Sequence, residues 1–205
     1  MSWLAIFLEA KLMPLVYKNQ QIITVSESSK LEILKLGLGS EESIEVIYPG
    51  IDPSQFKHSK KTSYPSFLYL GRLQPYKNID IAIKAFKKVV EKYPAARLTI
   101  AGFGEMSFDL KTLAEKLNIA EYVHFSGKVS QSEKSQLMAE HWVFIQPSML
   151  EGWGITVIEA NASATPVIAS NVNGLKDSVV DQKTGILVKP KDVNAFSEAM
   201  IILIA

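Results

Sequence analysis

From about Ser66 onward the chain alternates between short apolar runs and longer stretches whose apolar residues recur at helical spacing. "SFLYLG" (66–71) has the pattern of a strand buried on both faces. "NIDIAIKAFKKVVEKY" (78–93) carries apolar residues at 79, 82, 83, 86, 89 and 90, which is one face of a helix. The same pattern predicts strands in "ARLTIAG" (96–102), "YVHFSG" (122–127), "WVFIQPS" (142–148), "TPVIAS" (165–170) and "GILVK" (185–189). Between them it predicts helices in "FDLKTLAEKLNI" (108–119), "SQSEKSQLMAE" (130–140), "ITVIEANAS" (155–163), "GLKDSVVD" (174–181) and "DVNAFSEAMIILI" (192–204). Ser130 with Glu133 three residues later is a capping box. Strands alternating with helices call for a parallel sheet covered on both faces, hence a doubly wound, Rossmann-like α/β domain over 66–205. Ligands of such sheets sit beyond the carboxyl ends of the strands.

The first quarter of the chain is different. "QIITVSESSKLEILKLGLGS" (21–40) predicts strand, turn and helix, with Ser26 or Ser28 as cap and Gly37 as terminator. "SIEVIYPGID" (43–52) is a second short strand, stopped by Pro49-Gly50. "PSQFKHSKKTSYP" (53–65) is polar and reads as an exposed linker, which sets the main boundary there. At the start, Trp3–Leu8 is apolar, with residues 3, 4, 7 and 8 on one face, but Glu9 and Lys11 interrupt it. It is too short to span a bilayer and lacks the flanks of a signal peptide. It is expected to be a helix packed on a partner surface, with an interfacial membrane helix as the alternative.

Composition narrows the function classes. A net charge of +1 gives no electrostatic case for nucleic acid. There are no cysteines, and the three histidines, His58, His124 and His141, have no ligand spacing, so neither a disulfide framework nor a zinc site is expected.

The candidate chemistry lies just past the strand ends. Those segments are "GRLQPYKN", "GFGEM", "SGKVS" and "PSMLEGWG", which bring two cations, several glycines and a carboxylate to one edge. Arg72 offers a planar fork of donors and Lys77 a point charge, a pair suited to a diphosphate; a solvated basic loop is the plain alternative. Gly102 and Gly104 lack the third glycine of a dinucleotide fingerprint, so alone they are a weak signal, and a tight strand-to-helix turn is the plain reading. In "EGWGITVIEA", Glu151 and Glu159 stand eight positions apart, but Gly152 and Gly154 argue against one continuous helix. A helix starting near Ile155 would turn its free N–H groups toward the strand edge and attract a phosphate. Carboxylates beside a phosphate need other partners, and sugar hydroxyls are such donors. The arrangement fits a nucleotide sugar; an acidic first turn favoured by the helix dipole is the alternative.

Taken together, "YLGRLQPYKN", "AGFGE", "FSGKVS" and "PSMLEGWGITVIEA" resemble the nucleotide-sugar-binding half of retaining glycosyltransferases of the family 4 type, which have the GT-B fold. The resemblance covers nearly the whole chain, since "ITVSESSKLEIL" and "VIYPGIDPSQF" look like the end of the first domain and the linker. It implies residues 1–52 as a remnant of the acceptor domain, 53–65 as the linker and 66–205 as the donor domain. It further implies that Arg72 and Lys77 hold the donor diphosphate, that Glu151 binds hydroxyls of the transferred hexose, and that Glu159 binds the ribose. Backbone N–H groups of Ile155 and Thr156 would meet phosphate, Val129 would lie against the base, and Gly102 and Gly104 would keep the pocket floor open. Gly71, Gly152 and Gly154 belong to the same donor-binding loops.

By the same resemblance the substrate is a UDP- or GDP-sugar, and the acceptor is a glycan, lipid or small molecule. No aspartate pair of metal-binding spacing appears, so no metal or other cofactor is expected, and the expected location is cytoplasmic, with peripheral contact at the membrane as an option. The chain departs from the family at His141-Trp142, where an aspartate is usual, and at Asn173-Gly174 and Lys176-Asp177, where Gly-Gly and Pro-Glu are usual. The resemblance further implies that most of a first domain and a closing helix are missing from the chain. It is therefore expected to be inactive alone, a binding module that needs an acceptor-domain partner or self-associates through the apolar segments Trp3–Leu8 and Ile201–Ile204. A GT-B epimerase or phosphorylase is disfavoured, because no added acid–base residue or cofactor lysine is evident.

Overall fold

Six parallel strands carry the larger part of the chain, in the spatial order 123–127, 97–101, 66–70, 143–146, 167–170 and 185–188. In the computed structural model, which describes residues 3–17, 19–56 and 58–205 (side chains at 3–6 and 8–10 excepted), the chain divides into two compact units, 1–50 and 51–205. The first unit holds α1 (Trp3–Tyr17), β1 (Ile22–Thr24), α2 (Glu27–Lys35) and β2 (Ile44–Val46), with β1 and β2 paired in parallel. Ser26 is the cap of α2: its Oγ accepts from the Ser29 N–H at 3.2 Å. Helix α1 runs well past Leu8 and through Pro14. Of the apolar face expected at residues 3, 4, 7 and 8, only Phe7 lies among the described side chains, and it is exposed. No helix among the described residues is long and apolar enough to cross a membrane.

The second unit holds β3 (Ser66–Leu70), α3 (Ile79–Lys92), β4 (Arg97–Ala101), α4 (Ser107–Lys116), β5 (Val123–Gly127) and α5 (Gln131–Glu140). It continues with β6 (Val143–Gln146), α6 (Ile155–Ala162), β7 (Val167–Ser170), α7 (Leu175–Ser178), β8 (Gly185–Val188) and α8 (Val193–Ile202). Alternation along each strand divides the buried residues between two cores. Phe67, Tyr69, Leu98, Ile100, Val143, Ile145 and Ile168 face α3, α4 and α8. Leu68, Phe144, Val167 and Ala169 face Met138 of α5, Val157 and Ala160 of α6 and Leu175 of α7. This is the layering predicted from sequence, with each element found within a few residues of its expected place.

Two expectations are refined. Residues 53–55, 58–60, 63 and 64 are exposed, as read from sequence, but the segment is also anchored at Gln55, Phe56, Lys61 and Thr62. Phe56 is buried in the second core, Ser135 Oγ donates to the Gln55 carbonyl at 2.9 Å, and Trp142 Nε1 donates to the Thr62 carbonyl at 2.8 Å. Lys61 Nζ donates to the His141 carbonyl at 2.8 Å and to Thr165 Oγ1 at 2.6 Å. Polar residues that bond to main-chain carbonyls can dock a segment as well as apolar ones, and composition does not separate the two cases. Likewise Ile201, Leu203 and Ile204 pack against the first core, leaving Ile202 as the exposed member of that segment.

Candidate functional site

The strand order reverses between β3 and β6, and a doubly wound sheet opens its crevice at that point. After β3 the chain makes a short 3-10 turn, Pro75–Lys77, which places Lys77 over the crevice. After β6 it runs through Ser148 to Glu151, and the Met149 N–H donates to the Tyr76 carbonyl at 2.8 Å, tying the two loops together. Lys77 Nζ consequently forms an ion pair with Glu151 Oε1, with both side chains about seven-eighths covered. Gln146 Nε2 donates to the same carboxylate oxygen at 2.5 Å. Arg72 is exposed, and its guanidinium donates to the neutral Tyr76 hydroxyl at 3.0 Å, while Lys77 Nζ sits 5.2 Å from the Tyr76 ring centre. Tyr69 is buried below the loop. Burial, then the Glu151 carboxylate, hold its hydroxyl well above the usual phenol range, so it stays a donor, to the Arg72 carbonyl at 2.9 Å.

Glycines set the spacing of these loops. Gly102 has φ +145°, and a Cβ there would fall 1.8 Å from the Gly71 carbonyl oxygen; a Cβ on Gly104 would fall 2.3 Å from that of Leu73. The 102–106 turn therefore lies directly on the 71–73 loop, with Leu73 N–H bonded to the Phe103 carbonyl. The structure gives both glycines a packing role beneath Arg72, in addition to anything a ligand would ask of them. In the same way a Cβ on Gly174 would lie 2.4 Å from the Glu151 carbonyl oxygen, so the loop after β7 forms the back of the Glu151–Gly152 turn.

Helix α6 begins at Ile155, as expected, behind Gly154 in a left-handed conformation at φ +83°. No side chain caps it and no acidic residue stands in its first turn, so the N–H groups of Ile155 and Thr156 remain for another acceptor. Glu159 is carried to the second core side, 6% exposed, where Lys134 of α5 donates to its Oε1 at 2.6 Å. Its Oε2 is buried and has no hydrogen-bond partner. Val129 packs half-buried against the second core and lines a groove with Phe125, Lys128 and Leu137.

The structure thus joins Lys77 to Glu151 and sets Arg72 beside them through Tyr76, whereas Glu159 belongs to a separate pair. Lys134, Gln146 and Tyr76 were not anticipated. Lys134 stands next to the capping-box Glu133, which drew the sequence signal; nothing local marks its reach to a residue in another helix. His141, at a departure from the family pattern, is structural: its Nε2 lies 2.9 Å from Thr99 Oγ1 and its Nδ1 2.7 Å from the Leu137 carbonyl. Burial pushes its imidazole below the ordinary histidine range. Among the described residues no group of three His, Asp or Glu side chains converges as metal ligands do.

The sheet order, the crevice and the loops around it define a Rossmann-like domain of the GT-B type. The chain belongs to the glycosyl transferases group 1 family, whose model matches residues 51–205. It is 33% identical over 195 residues to an uncharacterized glycosyltransferase of Methanocaldococcus jannaschii, covering 88% of this chain and 50% of that one. It is 33% identical over 190 residues to a glycogen synthase of Mycobacterium tuberculosis, covering 91% and 46%. The chain spans about half the length of the curated relatives it matches. Among solved structures, HepE of Anabaena in complex with UDP-glucose aligns with a TM-score of 0.83 at 22% identity, over 94% of this chain and 57% of that one.

Proposed function

We propose that the second unit binds a nucleotide-diphosphate sugar, as the donor half of a retaining glycosyltransferase of the family 4 type that passes a hexose to an acceptor hydroxyl. The observation that carries this is the Lys77–Glu151 pair at the lip of the crevice, beside the uncapped N-terminus of a helix whose second turn carries the Lys134–Glu159 pair. A diphosphate entering the crevice competes with Glu151 for Lys77. As the lysine turns to phosphate, the Glu151 carboxylate is released to sugar hydroxyls. Arg72, whose guanidinium donates to a neutral hydroxyl, and the first N–H groups of α6 complete the anion site. These groups face the charge that develops on the leaving diphosphate, which is where electrostatic catalysis acts. Glu159 Oε2, buried without a donor, accepts a ribose hydroxyl while Lys134 keeps Oε1.

In this reading the positive charge comes from the chain itself, so binding and transfer persist in chelator. Because HepE was solved with UDP-glucose, UDP is the first nucleoside diphosphate to test and GDP the second. Calorimetry with each diphosphate decides: binding of neither overturns the donor reading. Retention would be read from the anomeric configuration of the product. The proposed location is the cytoplasm, with α1 as the element that would meet a membrane surface.

In a second reading the residues of this chain bind the donor but transfer nothing without an acceptor domain. Turnover by the purified chain at about 1 s⁻¹ or more would exclude it.

A further inference from the structure

We propose that Gln146 is the positioning residue for Glu151 and that its carbonyl oxygen receives a hydroxyl of the transferred sugar, an inference that rests on the donor-binding reading above. Gln146 is the last residue of β6, at the reversal of strand order, and is 3% exposed. By strand alternation it shares a face with Phe144, on the side of α5 and α6. Its Nε2 lies 2.5 Å from Glu151 Oε1 and 3.2 Å from Ser148 Oγ. A carboxylate only accepts, so the amide must turn its NH2 group to Glu151 and its carbonyl away. That carbonyl oxygen is buried and has no hydrogen-bond partner.

Buried amides are costly unless both ends are used. One end of Gln146 is used on Glu151; the other is free for a donor that arrives with a ligand. The two donors on Glu151 Oε1 also differ in what a diphosphate does to them. Lys77 is a cation and is drawn to phosphate. Gln146 is neutral and stays, so it holds the carboxylate in place when Lys77 leaves. Sugar hydroxyls then meet a fixed carboxylate and a waiting carbonyl, side by side.

The test uses the full chain as wild type, Gln146→Leu and Gln146→Met, each titrated calorimetrically with UDP, UDP-glucose, GDP and GDP-mannose. The quantity of interest is the ratio of nucleotide-sugar affinity to nucleotide-diphosphate affinity. In both variants that ratio is expected to fall about tenfold, equivalent to about 1.4 kcal/mol, while diphosphate affinity stays within about twofold. Methionine nearly matches glutamine in shape, so it guards against a variant that merely misfolds, and urea melts run alongside. An unchanged ratio in both variants overturns the proposal, as does equal loss for diphosphate and sugar. A wild-type chain that binds diphosphate but gains nothing from either sugar overturns it while leaving the nucleotide site standing. A wild-type chain that binds none of the four overturns it together with the donor reading.

Discussion

The two glutamate–lysine pairs look alike on paper and are built differently. Lys77 and Glu151 come from loops at the lip of the crevice, and a second donor, Gln146, already serves Glu151. Lys134 and Glu159 come from two packed helices; Glu159 is more deeply covered, and its second oxygen has no partner. A charge with a neutral back-up donor and access to the crevice tolerates the loss of its ion-pair partner. A charge inside a helix interface does not, because the lone carboxylate has no replacement donor. The first pair is arranged to open, the second to stay closed.

Stability separates them most sharply. Lys134→Met leaves Glu159 buried and unpaired, and should cost about 3–5 kcal/mol in urea unfolding, with Lys134→Met/Glu159→Leu recovering most of it. Lys77→Met should cost only about 1–3 kcal/mol, since Gln146 still donates to Glu151. Equal losses would erase the distinction.

Ligand binding should reverse the order. Removing Lys77 or Arg72 is expected to weaken a nucleoside diphosphate by about 1.5–3 kcal/mol per charged hydrogen bond, while the nucleoside is scarcely affected. Glu159→Ala should instead weaken nucleoside and diphosphate alike, by about 1–3 kcal/mol, because the ribose is common to both. Calorimetry with uridine against UDP, or guanosine against GDP, reads this directly; a phosphate-selective loss at Glu159 would break the assignment of roles.

A smaller effect bears on how the pairs are measured. Burial depresses the folded-state pKa of His141 below the unfolded value near 6.5, so below that pH the unfolded state binds the extra proton. Stability is full above pH 6.5 and falls as pH drops through the window beneath it, by at most about 1.4 kcal/mol per unit for one proton. His141→Asn should flatten that slope in melts taken from pH 7.5 to 5.5. Comparisons of the two pairs therefore belong above pH 7.

Much of this domain was legible from periodicity alone. Helical spacing marked α3, the capping box marked α5, and Gly152 with Gly154 marked the start of α6. Arg72 and Lys77 stood out as cations in a loop at a strand end, and Glu151 and Glu159 by their spacing of eight across a glycine turn and a helix start. What escaped was pairing at a distance. Glu159 looked like a free ligand group, and only the fold shows that a lysine 25 residues earlier already holds it. Gln146 looked like an ordinary strand end, since a buried amide leaves no mark on a hydropathy pattern. In the largely exposed 53–65 segment the anchors escaped notice, because apart from Phe56 they are hydrogen bonds to carbonyls, which composition does not encode.

Gly174 carries a lesson for engineering. Its missing side chain is the space in which the Glu151–Gly152 turn rests, with 2.4 Å between the absent Cβ and the Glu151 carbonyl oxygen. The two loops are separated in sequence by α6 and β7, yet neither can change its path alone. On the donor-binding reading, sugar preference would have to be transplanted by moving both segments as a single cassette. A graft of 147–154 into a scaffold with any larger residue at the position of Gly174 would carry the right letters and the wrong shape.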